Sequence, residues 1–484
     1  MLDQTLSRMA SSVVLCTVLF AVAGCASVTP ASAIADASAR HQPRHLLSPA
    51  ASDAGLRLGA PSREWWRELN DPQLDALVQR AMASNHDRLA ALAAVREARV
   101  LAGAAERAGL PQGSLNAGAQ SVRPSIAEAD PYKQGLPRAP EQRLANIDQR
   151  VSWEIDLFGR IGTAAAVAER EADATEADAH ACAALLQAEV VRRYVLLRLN
   201  QINARRLGSE LALLRQRQSL LDARVQAGVT DRREAIAGLA DLAGAEAEQA
   251  ATGAAIERER AALAVLAGRS PTRSNPGWEA LLAPADLPAV PVDAQLAQPD
   301  DLLANRPDVV RADALLRAAM GGTVLAERAH LPHLNLNLSA GLNAAFGSLG
   351  QVGALRYAVG PALQWDWLDG GRKRLRAEAA RAGQERVWHQ FEQTVLRALE
   401  DSENSLRDWI AAQAALRAAQ EAESASRRTS GYTAARVAAG MEAPGAALDT
   451  RLAHSRQQRS LGVRQAEALQ AFAQVQLSLA AWKP

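Results

Sequence analysis

The sequence predicts a mainly α protein with a smaller membrane β part: tandem-duplicated long α-helical coiled-coil hairpins, plus four transmembrane β-strands per chain. Three observations predict it. One junction is written twice, AAERAGLP at 104–111 and LAERAHLP at 325–332. Apolar positions at heptad spacing run through two long stretches rich in Ala, Leu, Glu and Arg. Stretches of period two follow each copy of the junction.

Length and charge bound the rest. The chain has 484 residues, too many for one typical core, and a formal net charge of +1 that gives no reason to expect nucleic acid as a partner. The three cysteines, Cys16, Cys25 and Cys182, offer neither a disulfide framework nor a metal site, and Cys182 reads as a small packing residue in an Ala-rich helix. The eight histidines form no HExxH, and there is no phosphate loop or nucleophile elbow. The expectation is a protein that is not an enzyme, with no cofactor, no metal and no catalytic residues. His330 and His333, either side of Pro332, read as interfacial polar residues.

The first element is an export signal at 1–24. An apolar run from Val13 to Val22 follows Arg8, too short to span a bilayer, and ends in small residues. Val22-Ala23-Gly24-Cys25 resembles a bacterial lipobox, which implies cleavage before Cys25 and lipid attachment there. Ala26 rather than Asp after Cys25 favours the outer membrane. Residues 25–60 then form a lipid-anchored tether. No later segment is apolar enough for a transmembrane helix, so any crossing must use strands.

The repeats come next. Pro332 follows Pro111 by 221 positions, while Trp365 follows Trp153, Arg372 follows Arg160 and Gly440 follows Gly228 by 212. The offset therefore changes only in the interval between Pro111 and Trp153. A unit of roughly two hundred residues is written twice, at 61–268 and 301–484, with a Pro-rich linker at 269–300. In each half a helical stretch (about 72–107, about 300–330) precedes the junction proline, which breaks it. Two strands follow, about 111–122 and 144–157, then about 332–343 and 355–367. A long helix comes next (about 160–227, 372–439). Gly228 and Gly440 end these as C-cap residues, and a last helix closes each half (about 231–267, 443–481).

The long helices carry packing seams. Leu207, Leu211, Leu214, Gln218, Leu221 and Val225 mark one; Trp388, Phe391, Val395, Leu399, Ser402, Leu406 and Trp409 mark the other. A helix of that length spans about 100 Å, which two shorter helices end to end would match, so the expected shape is a rod-like hairpin.

The strands alternate. Leu334, Leu336, Leu338, Ala340 and Leu342 face one way, and Asn335, Asn337, Ser339 and Gly341 the other. Ile147, Val151, Trp153, Ile155 and Leu157 likewise alternate with Asp148, Arg150, Ser152, Glu154 and Asp156. Each strand is long enough to cross a bilayer at a tilt. Trp153, Trp365 and Trp367 sit where an interfacial aromatic girdle belongs. Four strands cannot close a barrel, and open edges are not tolerated in lipid, so the barrel must be shared between chains. A dimer gives eight strands and an interior filled by side chains. A trimer gives twelve and room for a lumen, onto which Glu154, Asp156, Asn335 and Asn337 would face.

These features, with Trp65-Trp66 before Asp71-Pro72-Gln73-Leu74, WEIDLFGR, Arg306-Pro307-Asp308 and Asp369-Gly370-Gly371-Arg372, resemble the outer-membrane factor (TolC-like) family, closest to its NodT-type efflux lipoproteins. The resemblance covers nearly the whole mature chain. It implies a homotrimer with a 12-stranded barrel and an α-helical tunnel, lipid-anchored in the bacterial outer membrane with a large periplasmic part. It implies a passive exit duct for drugs or toxic compounds, docked to a periplasmic adaptor (membrane fusion protein) and an inner-membrane pump of RND type. The tips that meet the adaptor would hold Arg224, Val225 and Gly228 in one half and Arg436, Val437 and Gly440 in the other. Glu234 and Asp449 match the acidic positions that gate the tunnel, and Ala446 replaces a second acidic position. Arg436 is a candidate ion-pair partner in the closed state. Two alternatives stay open on the sequence: a periplasmic adaptor, and a structural coiled-coil lipoprotein.

Overall fold

The structure is a computed structural model that describes residues 32–41, 56–58, 63–123, 125–129, 132, 135, 140–272, 276–291, 294–296 and 302–479. In chain order the elements are α1 (Ile34–His41), β1 (Leu56–Leu58), a 3-10 turn (Trp65–Leu69), α2 (Pro72–Ser84), α3 (His86–Arg107), β2 (Gln112–Val122), α4 (Ile126–Ala129), β3 (Gln142–Ile155), α5 (Arg160–Gln226) and α6 (Arg232–Leu266). They continue with α7 (Pro276–Leu281), β4 (Ala294–Leu296), α8 (Leu302–Asn305), α9 (Pro307–Arg328), β5 (His333–Ala345), β6 (Leu355–Gln364), α10 (Arg372–Ala438) and α11 (Pro444–Leu479).

The chain divides into two compact units, and neither is a sequence repeat. One holds Arg96–Asp173 and Ala314–His389, the other Ala33–Val95, Ala174–Asp313 and Gln390 onward, so each draws on both halves. The signal at 1–24 and Cys25 lie outside the described residues. The stretch expected to be a bare tether contains α1 and β1, and β1 pairs in parallel with β4 from the expected linker.

The first unit is built on one antiparallel sheet in the order β2-β3-β5-β6. Each half donates a hairpin, and β3 against β5 joins them, from Leu144 opposite Ala345 to Ile155 opposite Leu334. β2 and β6 are the edges, each paired on one side only among the described residues. The last strand ends at Gln364, so Trp365 and Trp367 lie beyond it rather than on it.

The second unit holds the core. Trp65, Trp409 and Phe472 meet at its centre, Trp65 to Phe472 at 5.9 Å and Trp409 to Phe472 at 5.7 Å between ring centroids. Leu74, Leu77, Val78, Val190, Val191 and Leu469 close around them. Arg198 is fully buried, and its two terminal nitrogens are hydrogen-bonded while its Nε has no partner among the described residues. It stacks over Tyr194, donates to Gln73 and Gln201 side chains, and donates to the Leu281 and Ala283 carbonyls. Tyr194 in turn donates to Asp71 at 2.5 Å, and burial followed by that bond pushes the phenol well above its ordinary range. Gln201 takes the Leu282 carbonyl at 3.0 Å and Gln465 that of Pro288, so the inter-repeat segment is strapped onto the core.

The sequence expected one helix over 72–107, but there are two. Asp71 caps the first, its carboxylate accepting from Gln73 and Leu74 N–H behind Pro72 at the first helical position. The chain turns at buried Asn85, which does two jobs: its Oδ1 accepts the Arg88 N–H of α3, and its Nδ2 donates to the Leu266 carbonyl at the end of α6. An Asn at this position suits a break because its side chain replaces two missing main-chain partners. The second half breaks at the matched residue, Arg306, before Pro307.

The seams form much as spaced. Leu207, Leu211, Leu214 and Gln218 are buried on α5, as are Phe391, Val395, Ser402, Leu406 and Trp409 on α10. Leu211 and Leu214 pack with Ala245 of α6 and Leu452 of α11, so the two hairpins share a core. The exception is Trp388, which is 41% exposed, its ring edge-on to His389. No described helix is long and apolar enough to cross a membrane.

Candidate functional site

The sheet sorts its side chains by face. One face aligns Ile147, Leu342 and Leu355 in one row, Val151, Leu338 and Val359 in another, and Trp153, Leu336 and Pro361 in a third. Ile147, Leu338, Leu355, Tyr357, Val359 and Leu363 are all exposed on this chain, an apolar surface of strand-pair pattern rather than a core. The opposite face aligns Glu154 with Asn335, Ser152 with Asn337, and Arg150 with Ser339. Glu154, Asn335 and Asn337 therefore share one polar face, as the alternation predicted. Asp156 does not join them. It lies one residue past β3, and its carboxylate accepts the Gly162 N–H at 2.8 Å, serving the start of α5.

The polar face contains its own ion pairs. Arg356 reaches across β5 to Asp148, with Nε and a terminal nitrogen at 2.9 and 2.5 Å from one carboxylate oxygen. Gly341 stands between them in register, opposite both. A Cβ there would meet the Ile147 carbonyl at 2.3 Å and the Asp148 carboxylate at 2.5 Å, so the pair needs glycine in its path. Asn146 donates to the other Asp148 oxygen at 3.2 Å. Glu154 holds Arg160 in a two-point bond at 3.1 and 2.6 Å and lies 3.3 Å from His333 Nδ1. Asp148, Glu154 and Gly341 stood in the alternation, but the cross-sheet pair did not, because sequence spacing says nothing of which strands lie two apart.

The tryptophans close the repeated junctions. Trp153 Nε1 donates to the Gly109 carbonyl at 2.8 Å and Trp365 Nε1 to the His330 carbonyl at 3.0 Å. Gly109 and His330 are matched positions of AERAGLP and AERAHLP, two residues before the proline that stops each helix. That bond gives both copies a structural reason to keep the junction. Trp367 is exposed, and the first half has Ile155 at the matched position, whose side chain has no hydrogen-bond donor.

The two hairpin tips are near copies. Gly228 has φ 69° and Gly440 φ 72°. In the first, Gly228 N donates to Val225 O at 3.0 Å and Val229 N to Arg224 O at 2.9 Å; in the second, Gly440 N donates to Val437 O at 3.0 Å and Met441 N to Arg436 O at 2.9 Å. These are Schellman closures. The shared Arg-Val-x-x-Gly is thus explained first by its main chain. Of the expected gate residues, Glu234 is exposed and accepts from Thr230 Oγ1 at 2.8 Å, and Asp449 is exposed. No hydrogen bond or ion pair joins these two within the described residues of one chain. Arg436 pairs with Glu442 at 2.8 Å, not with Asp449.

Comparison with known proteins places this geometry. The family model described as outer membrane efflux protein matches residues 298–481. The chain is 32% identical over 379 residues to the fusaric acid resistance protein FusA of Burkholderia cepacia, covering 75% of this chain and 67% of that one. It is 28% identical to the pyoverdine export outer membrane protein OpmQ of Pseudomonas putida, over 75% of this chain and 76% of the other. Among solved structures, the outer-membrane channel OprN superposes with a TM-score of 0.81 at 26% identity, covering 96% of this chain and all of that one.

Proposed function

The chain belongs to the outer membrane efflux protein family, and from that premise we propose that three copies join their sheets edge to edge, β6 of one on β2 of the next, to close its barrel. The protein is an outer-membrane efflux channel, the exit duct of a tripartite system that also comprises a periplasmic adaptor and an inner-membrane pump. Its role is passive: it holds a path open, and the pump supplies the energy.

The observation that carries the trimeric reading is the sheet itself. Its apolar face is exposed, its opposite face is polar, and its two edges are unpaired among the described residues. Lipid accepts such a sheet only when it is closed. In the closed barrel the apolar face meets lipid, and Glu154, Asn335 and Asn337 face the lumen. Trp153, Trp365 and Trp367 sit at the periplasmic interface.

Finer assignments complete the proposal. Cys25 carries the lipid that anchors the chain to the membrane. The tips around Gly228 and Gly440, with Arg224, Val225, Arg436 and Val437, contact the adaptor. Glu234 and Asp449 from three copies ring the tunnel entrance. The pump is of RND type, and the cargo is a small molecule, as fusaric acid and pyoverdine are in the names of the relatives.

Light scattering and electron microscopy of the complex extracted from outer membranes test the assembly. A hollow trimer with a detergent belt is expected, and a monomer, or release without detergent, overturns it. Palmitate labelling that disappears in Cys25→Ala tests the anchor.

A further inference from the structure

Four charged side chains belong to the polar face of the sheet: Asp148, Arg150, Glu154 and Arg356. Asp148 and Arg356 neutralise one another across Gly341. Glu154 is matched by Arg160 at 2.6 Å. Arg150 is left. It is exposed, and within the described residues no hydrogen bond or ion pair is formed by its guanidinium. It lies near enough to Asp148 to be felt there, but the Asp148 oxygens are taken by Arg356 and Asn146.

Its row makes the charge prominent. Arg150 stands opposite Ser114 on β2 and Ser339 on β5, and Ser339 stands opposite Ala358 on β6. Three small side chains flank the one long cation. The row toward β3's C-terminal end, with Ser152 and Asn337, carries no charge. Among the described residues, each chain thus presents one guanidinium without an ion-pair partner from a level of the wall that is otherwise short and neutral.

We infer that Arg150 is a specificity-determining residue, which makes the barrel section of the duct a transient binding site for small organic anions such as carboxylates and sulfonates. The inference rests on the trimeric reading above. Three-fold repetition sets three guanidiniums at one height around the lumen, and a ring of cationic side chains is how pores favour anions. Arginine suits the task because its charge persists at any physiological pH and its planar fork matches carboxylate and sulfonate oxygens. Contacts from an exposed ring are individually weak, which suits a duct that must release what it holds.

The test is single-channel recording of the full-length trimer in planar bilayers, with pyrene trisulfonate added on the barrel side only. Wild type shows transient blocks. Arg150→Gln keeps the open conductance within the same range and weakens the block about tenfold, the loss of a few modest charge contacts. Arg150→Lys retains most of it. Ser339→Asp, which sets a carboxylate opposite the guanidinium, weakens the block without removing Arg150, and so serves if Arg150→Gln assembles poorly. Block of unchanged strength in Arg150→Gln and Ser339→Asp overturns the inference. Absence of any conducting pore in wild type instead overturns the channel assembly on which it rests.

Discussion

Trp153 donates its indole N–H to the carbonyl of Gly109 at 2.8 Å, tying the end of a strand to the end of the helix that precedes the sheet. Trp365 does the same to His330 at 3.0 Å. The residue separations, 44 and 35, differ by the nine residues in which the two halves differ. The duplicated chain therefore conserves the contact while letting the intervening loop change length.

Replacing either tryptophan by phenylalanine keeps the ring but removes the donor. Because both indoles are partly exposed, each change is expected to cost about 0.5–1 kcal/mol, the lower part of the range for a net hydrogen bond. The thermal midpoint of the detergent-solubilised complex should fall by a few degrees for each. An unchanged midpoint in both would show that water serves the carbonyls equally well.

Gly341→Ala should be far more damaging than its size implies, since the new methyl has main chain, not a flexible side chain, in its way. Gly360 is the control: it lies on the same face of the neighbouring strand with nothing within 4 Å of an added Cβ. Loss of assembled protein in outer-membrane fractions is expected for Gly341→Ala and not for Gly360→Ala.

The tips give a local prediction. Alanine at Gly228 or Gly440 must adopt a left-handed conformation, at a cost of about 1–2 kcal/mol. Hydrogen exchange should quicken at Val229 in the first variant and Met441 in the second, whose N–H groups close the turns, while the core keeps its protection. Drug susceptibility should rise if these tips meet the adaptor.

Acid should loosen the packing between α10 and α11. The hydrogen bond from His454 to Glu423, outweighing burial and aided by Arg427, holds the Glu423 carboxyl below its ordinary value. A carboxylate depressed in the folded state contributes stability above its unfolded pKa, about 4.3, and loses it as pH falls through the lower folded value. Thermal midpoints should therefore stay level from pH 7 to 5 with respect to this pair and decline below about pH 4. Glu423→Gln should start lower at neutral pH and decline less. Equal declines in the two proteins would assign the acid sensitivity elsewhere.

The gate assignment has its own test. Glu234→Gln with Asp449→Asn should make the channel leakier to bulky antibiotics, seen as higher single-channel conductance and greater susceptibility. Unchanged values in both measurements would remove these carboxylates from the gate.

Much of this was legible in the sequence where the signal is periodic or terminal. The alternation from Leu334 to Leu342 placed β5 within a few residues, and Gly228 and Gly440 marked the ends of α5 and α10. What could not be read depended on partners remote in sequence. Asn85 breaks a helix-forming stretch because Leu266, 181 residues away, offers a carbonyl to its side chain. Asp156 continues the polar alternation yet leaves the strand, because Gly162 N–H claims it at the next helix. Trp388 continues the seam spacing and is nonetheless exposed, since a heptad pattern marks one helix face and does not show what covers it. The Asp148–Arg356 pair needed the strand order before it could be drawn.

The ladder between β3 and β5 has a consequence for biogenesis. Its paired residues are about two hundred positions apart in the chain, as Leu144 and Ala345 show. Closing so long a loop is slow, and it cannot begin until the second half of the chain is present. Until then the first hairpin has its β3 edge bare, a template for aggregation. The second half of the chain thereby completes what the first half leaves open, and the edge to be kept from other strands until then is the twelve residues from Leu144 to Ile155.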